Sequence, residues 1–317
     1  MATKIDGYHS IRTSTLVGNR RLAMDVFVII EDRAVRYGAE GEILDEDRYQ
    51  RLRKFKLNKV LIQESKESVY RGYLEEMLDS VEKNAKIETS LKAQMLTAGA
   101  ESAAEEVIQK VEDKDIYQDA QLQFERFARF LQKHDGGLKE VLRLSGTVAG
   151  DYVCHGVQVA ALSVFMCEKL KLIQNEAHAK LISTGCFIHD IGAERTNIPL
   201  VADKSQLTPE QLKTWQTHPT KGLEILSKLD HVERQVMDIV IQHEEIPNGS
   251  GFPNKLVRLK MDPVACVVSL ANRFDHYSTR FRGDKKAAMA KFFIDEMGKY
   301  DLDQMELLKK VITEQSS

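Results

Sequence analysis

The sequence predicts an α+β protein: a small N-terminal α/β accessory domain followed by an all-helical bundle. Two observations predict this order. Period-two alternation and short β-branched runs are confined to the N-terminal part, whereas helical apolar spacing fills the rest. A third observation gives the bundle a purpose: histidines and one aspartate recur at the ends or inner faces of its predicted helices. The 317 residues suit two domains better than one core.

Leu22, Met24, Val26, Val28 and Ile30 alternate with period two, which predicts a half-buried strand. Val35 and Tyr37 before Gly38 suggest its short partner, and Lys59-Val60-Leu61-Ile62 reads as another strand. Between them, Asp45 to Lys54 reads as a short helix with Tyr49 and Leu52 inward. A longer helix follows, with Tyr70, Tyr73, Leu74, Met77 and Val81 on one face. Residues 1–84 form the expected accessory domain, suited to a sensory or docking role. Residues 85–137 read as a charged helical connector, with Leu91, Met95, Val107 and Val111 in one helix and Phe124, Phe127, Phe130 and Leu131 in the next. Asp135-Gly136-Gly137 breaks it.

The third segment, residues 138–317, is helical nearly throughout. Asn175 caps a helix expected to run to Asp190, with Gly192 as its C-terminal stop. Thr208-Pro209-Glu210-Gln211 combines a capping box with a proline at the first helical position. Pro219 opens the helix of Leu223, Leu226 and Leu229. Val236, Ile239, Val240 and His243 line the next helix, and Val264, Val268, Ala271 and Asp275 the last core helix.

Net charge is −3, which argues against a surface for long nucleic acid but leaves room for a small anion at a local Lys/Arg cluster. Cys154, Cys167, Cys186 and Cys266 form no C-x-x-C pair and sit among apolar residues, as reduced core thiols do. No apolar run spans a bilayer and the N-terminus lacks the apolar core of a signal peptide, so a cytoplasmic protein is expected.

A lone histidine on an apolar helix face is ordinarily a packed core residue. Here His155, His189, His218 and His243, with Asp190, sit on separate predicted helices, which is what a buried metal site in a bundle requires. Imidazole and carboxylate suit iron, manganese or zinc, and no thiolate set is present for structural zinc. His9, His134, His178 and His231 lie at polar or terminal positions and read as solvated.

Residues from about 138 to 285 resemble an HD-GYP domain, a branch of the HD-superfamily metal-dependent phosphohydrolases. The resemblance rests on His155-Gly156-Val157-Gln158-Val159, Phe187-Ile188-His189-Asp190-Ile191-Gly192, Thr217-His218-Pro219, Gln242-His243-Glu244, Gly249-Ser250-Gly251-Phe252-Pro253 and Ser269-Leu270-Ala271-Asn272-Arg273-Phe274-Asp275, in that order. It implies an all-helical domain with two or three metals, iron or manganese first, that hydrolyses cyclic-di-GMP. By position, His155, His189 and Asp190 would hold the first metal. Asp190 would bridge to a second held by His218 and His243, with Gln242 offering an amide oxygen where the family often has a second histidine. Asp151, one turn before His155, falls where some members place a third-metal ligand.

The resemblance also exposes departures. The lysine that usually follows the HD motif is Ala193, with Arg195 nearby as a substitute cation. The GYP tyrosine is Phe252, which keeps a ring and loses a hydroxyl. The last acidic ligand is Asn272, with Asp275 one turn on as a replacement ligand or as support for one. Arg273, Arg280, Arg282, Lys285 and Lys286 form a basic group suited to phosphate, the first three as substrate contacts. Two readings follow. One is a divergent dinuclear phosphodiesterase of weak or altered activity on cyclic-di-GMP or a related small nucleotide. The other is a catalytically degenerate module that senses a nucleotide or binds signalling proteins.

Overall fold

The structure is a computed structural model that describes residues 5–55, 57–134, 136–145, 152–195 and 207–315. Residue contacts divide the chain into two compact units, Met1–Ser102 and Ala103–Ser317. The division falls inside the stretch read from sequence as a connector.

The first unit is built on a four-stranded antiparallel sheet. Its strands are β1 (Tyr8–Arg12), β3 (Val26–Ile30), β4 (Arg33–Gly38) and β6 (Lys59–Gln63), in the order β1-β6-β3-β4. The short β2 (Arg20–Arg21) and β5 (Ile43–Leu44) pair separately. Helices α1 (Glu46–Lys54), α2 (Glu67–Lys83) and the start of α3 (Thr89–Gln109) complete it. Ile11, Val26, Val28, Leu44, Tyr49, Leu52, Val60, Ile62 and Tyr70 make one apolar core, together with Leu22 and Met24.

The strand expected from Leu22 to Ile30 is shorter than its alternation suggests. Pairing begins only at Val26, and a register shift between Val26 and Phe27 breaks the period, so that Val26, Phe27 and Val28 are all buried. Ile30 reaches the hairpin end and is 53% exposed. The turn itself places Glu31 and Asp32 at φ 48° and 58°, the left-handed pair that matches strand twist in a two-residue hairpin.

The second unit is helical. After the end of α3 come α4 (Lys114–Lys133), α5 (Gly137–Ser145), α6 (Tyr152–Lys169), α7 (Glu176–Ile188) and the one-turn α8 (Ile191–Arg195). Then follow α9 (Pro209–Trp215), α10 (His218–Leu226), α11 (Arg234–Gln242), α12 (Pro263–Arg280), α13 (Lys285–Asp295) and α14 (Leu302–Gln315). Helix α7 is the hub: α4, α6 and α11 pack on it, and α12 packs on α6. Phe124 and Phe127 of α4 hold it through Phe187, stacked at 4.4 Å and edge-on at 5.3 Å. Local start signals act as the sequence predicts. Asn175 accepts from the His178 amide, and Thr208 and Gln211 form a reciprocal capping box with Pro209 behind them.

Gly192 does not stop a helix. Helix α7 ends at Ile188, His189-Asp190 form a turn, and Gly192 lies inside α8. Its role is close approach: a Cβ there would fall 2.0 Å from the His218 carbonyl oxygen and 2.5 Å from the Gly222 nitrogen. Only a residue without a side chain lets α8 lie against α10, and this brings Asp190 to His218. The four cysteines are buried and outside any disulfide, and burial pushes the Cys186 thiol up to about 12, as inert core thiols require. Among the described residues, no helix is long and apolar enough to cross a membrane.

Candidate metal centre

Helix ends carry unsatisfied carbonyls, and three of these fix three histidines. His189 and His243 are the C-cap residues of α7 and α11, and His218 follows α9 closely. In each, Nδ1 meets the carbonyl oxygen three residues back: His189 to Cys186 at 2.6 Å, His218 to Trp215 at 2.7 Å, His243 to Val240 at 2.8 Å. A carbonyl only accepts, so each Nδ1 donates and each neutral ring keeps its Nε2 lone pair for another partner. His155, inside α6, has the same arrangement by another route, with Nδ1 2.6 Å from Asp275 Oδ2.

The four Nε2 atoms converge on Asp190, whose two oxygens divide them. Oδ2 lies 3.3 Å from His189 Nε2 and 3.7 Å from His155 Nε2. Oδ1 lies 3.3 Å from His218 Nε2 and 3.5 Å from His243 Nε2. Two groups result that could each hold a metal ion: His155, His189, Asp190 and Asp190, His218, His243. The Nε2 atoms also face one another, His218 to His243 at 2.8 Å and His155 to His189 at 3.1 Å. Facing lone pairs in a buried site repel unless a cation lies between them. The donor set therefore fits a pair of divalent transition metals, a fit strengthened by two further buried acceptors without a hydrogen-bond partner, Asn272 Oδ1 and Asp275 Oδ1.

Electrostatics keep His189, His218 and Asp190 in metal-binding form. Burial lowers His189 and takes His218 down to about 4, so both rings are neutral near pH 7. Burial pushes the Asp190 carboxyl up, but the imidazoles packed around it, His189 first, hold it well below the usual carboxylate range. Burial likewise lowers His155, yet the hydrogen bond and charge of Asp275 outweigh it and leave the ring above its ordinary value.

The other expected ligands are distributed differently. Asp275 stands behind His155 as its hydrogen-bond acceptor and joins neither metal-holding group. Gln242 does not pair with His243: its Oε1 accepts from the Asp262 amide at 2.9 Å, because neighbours on a helix point about 100° apart. Asn272 is buried, and its Nδ2 lies 3.3 Å from both the His243 carbonyl and Glu244 Oε1. Asp151 lies outside the described residues. Asp275→Ala is expected to weaken metal affinity by about 10–100-fold, the usual loss when the group orienting a metal-binding histidine is removed. Competition with a fluorescent chelator measures it, and an unchanged affinity would remove Asp275 from this role.

The substitutes for the missing cation and hydroxyl also resolve. Ala193 is fully buried and packs with Trp215, against which Leu207, Leu212 and Phe252 lie, so position 193 is apolar. Arg195 is not a replacement: it donates to the Ile108 and Gln109 carbonyls and to Glu112. Phe252 packs edge-on to Trp215 at 5.3 Å and faces His218 at 6.2 Å. Gly251 lets this loop reach the site, since a Cβ there would fall 2.2 Å from the Ile246 nitrogen. The fully buried Glu245 fastens the loop by accepting from the Asn254 and Leu256 amides at 2.6 and 2.8 Å.

A cavity of about 320 Å³ opens beside the cluster, lined by His243, Glu244, Phe252, Asn272, Arg273 and Tyr300 among others. Arg273 is the basic residue that reaches it. Arg280 and Arg282 are exposed, and Arg280 lies two turns further along α12 with its guanidinium over the Tyr277 ring. The Lys285 amine donates to the Leu142 carbonyl at 2.5 Å. His231 is not solvated: its Nε2 meets the Val111 carbonyl at 3.0 Å and its ring lies against Tyr117. His276 was missed by sequence reasoning. It stacks on His155 at 5.2 Å with its Nε2 3.7 Å from Glu244 Oε1. The signal that could have found it was its i, i+4 spacing from Asn272.

Comparison with known proteins agrees with this geometry. The HD domain family profile matches residues 132–305. A solved structure, "Bd1817, a HDG"Y"P protein from Bdellovibrio bacteriovorus", superposes with a TM-score of 0.86 at 29% identity, covering 96% of this chain and 99% of that one. The cyclic di-GMP phosphodiesterase response regulator RpfG of Xanthomonas campestris pv. campestris is 27% identical over 151 residues, 47% of this chain and 36% of that protein. The 3'3'-cGAMP-specific phosphodiesterase 2 of Vibrio cholerae is 24% identical over 184 residues, 57% of this chain and 35% of that protein. The matches thus span about a third of these curated relatives' lengths. With four imidazoles gathered on the HD aspartate and the family's motifs in order around them, the chain belongs to the HD domain family and is an HD-GYP domain protein.

Proposed function

We propose that this protein is a divergent dinuclear metal-dependent phosphodiesterase of reduced activity, acting on cyclic-di-GMP or a related cyclic dinucleotide. The observation that carries the reading is the division of Asp190: one oxygen faces His155 and His189, the other His218 and His243. His155, His189 and Asp190 would hold one ion and Asp190, His218 and His243 the other, with iron or manganese suiting the nitrogen–oxygen donor set. A bound metal pair supplies Lewis acidity toward a phosphodiester and toward the attacking water. The chain's own residues hold the imidazoles in one tautomer, keep Asp190 ionised and place the Phe252 ring beside His218. Relatives named as phosphodiesterases of cyclic di-GMP and of 3'3'-cGAMP support the substrate class.

A second reading is a module that binds the nucleotide without cleaving it, and the apolar setting of Ala193 favours it. With no lysine there and no hydroxyl on Phe252, one cation and one hydrogen-bond donor are lost. Each such loss commonly costs on the order of 10²–10³ in rate. We expect manganese- or iron-loaded protein to bind cyclic-di-GMP and to release linear dinucleotide slowly, with His218→Ala abolishing that release. Chromatography of single-turnover reactions with cyclic-di-GMP and with 3'3'-cGAMP checks this. Binding with no product would establish the second reading, and loaded protein that neither binds nor cleaves either nucleotide would overturn both.

A further inference from the structure

The cavity beside the cluster contains two polar groups that the metal site does not use. Arg273 Nε and Nη2 donate to Glu296 Oε1 at 3.1 and 3.0 Å. Glu296 is fully buried, accepts from the Tyr277 hydroxyl at 2.8 Å and receives Lys299 on its other oxygen at 3.1 Å. This carboxylate therefore clamps one edge of the guanidinium and leaves Nη1 outside those bonds, on a side chain that is 28% exposed and lines the cavity. A guanidinium so held is oriented before any ligand arrives, which reduces the side-chain entropy lost on binding.

Tyr300 lines the same cavity, from the segment between α13 and α14. Its hydroxyl lies 3.4 Å from Ser269 Oγ, long for a hydroxyl–hydroxyl bond, and Ser269 itself donates to the Glu245 carbonyl. Burial holds the phenol well above its usual range, so it is a neutral donor near pH 7. The carboxylate lining the cavity, Glu244, is engaged by Asn272 Nδ2 and lies 3.7 Å from His276 Nε2. Phe252 and Trp215 supply an apolar, aromatic side to the same space.

We infer that Arg273 and Tyr300 form the nucleotide-holding wall of this cavity. Arg273 Nη1 meets a phosphate of the cyclic dinucleotide, and Tyr300 supplies the phenol donor that Phe252 lacks. This assignment rests on the cyclic-dinucleotide reading above. It makes the change at position 252 a relocation of the hydroxyl from the G-F-P loop to the C-terminal segment. Tyr300 is then a contact to the nucleotide through its hydroxyl, which the Phe252 ring lacks.

Calorimetric titration of manganese-loaded protein with cyclic-di-GMP tests it. Tyr300→Phe and Arg273→Lys are each expected to weaken binding on the order of tenfold, the effect of one hydrogen bond to an anionic ligand. Metal content and thermal midpoint should stay at wild-type values, because the first keeps the ring and the second keeps a cation on Glu296. Adding Phe252→Tyr to Tyr300→Phe should restore part of the affinity, which a merely structural role for Tyr300 would not allow. If the wild type binds and both variants bind equally well, the inference fails while the phosphodiesterase reading stands. If the wild type binds no cyclic dinucleotide, both fall together. Because the two substitutions sit on different elements, loss of fold in one leaves the other to decide.

Discussion

Replacing Asp190 with alanine is expected to remove essentially all bound metal. Loaded wild-type protein should carry about two divalent ions per chain, the number that a bridging carboxylate between two histidine pairs serves. The two oxygens of Asp190 face separate pairs of Nε2 atoms, and among the described residues no other side chain belongs to both candidate groups. Without it, each pair keeps two imidazoles and loses the carboxylate that both groups share. His218→Ala should empty mainly one position, since His155, His189 and Asp190 remain together. Elemental analysis after anaerobic reconstitution distinguishes the two variants. Wild-type stoichiometry in Asp190→Ala would show that the ions bind elsewhere.

Gly192→Ala should be the most damaging single methyl added to the bundle. The new Cβ would sit 2.0 Å from the His218 carbonyl oxygen, a backbone atom with no rotamer to move into, so α8 and α10 must separate. Overpacking of this kind costs about 3 kcal/mol at the upper end of its usual range. The separation also draws Asp190, two residues before Gly192, away from His218, now 3.3 Å distant. Urea unfolding should show the loss of stability, and metal content should fall with it. A variant with wild-type stability and two ions would rule out the close approach of α8 to α10.

Much of the chain's architecture was legible because it is local. The Asn175 cap, the capping box at Thr208 and the proline at the start of α10 are each settled within four residues. The hairpin from Val26 to Gly38 and the apolar faces of α2, α4, α11 and α12 follow from short periods in the same way. The residues that gather around Asp190 could be singled out too, since histidines and aspartates on the inner faces of an apolar bundle are costly unless they have partners.

What the sequence left open depended on the direction of side chains meeting from distant elements. By itself it determined the helical bundle and singled out the four histidines and the aspartate that the fold brings together. Only the tertiary structure showed that Asp275 Oδ2 meets His155 Nδ1, and that Gln242 accepts from the amide at the start of α12. It also decided that Arg195 is tied to Glu112, that Gly192 serves close helix packing, and that Tyr300 enters the cavity beside Phe252. Spacing along a helix tells which residues share a face. Which neighbour that face meets, and how near, is set by the packing of elements far apart in sequence, as between His155 and Asp275, 120 residues apart.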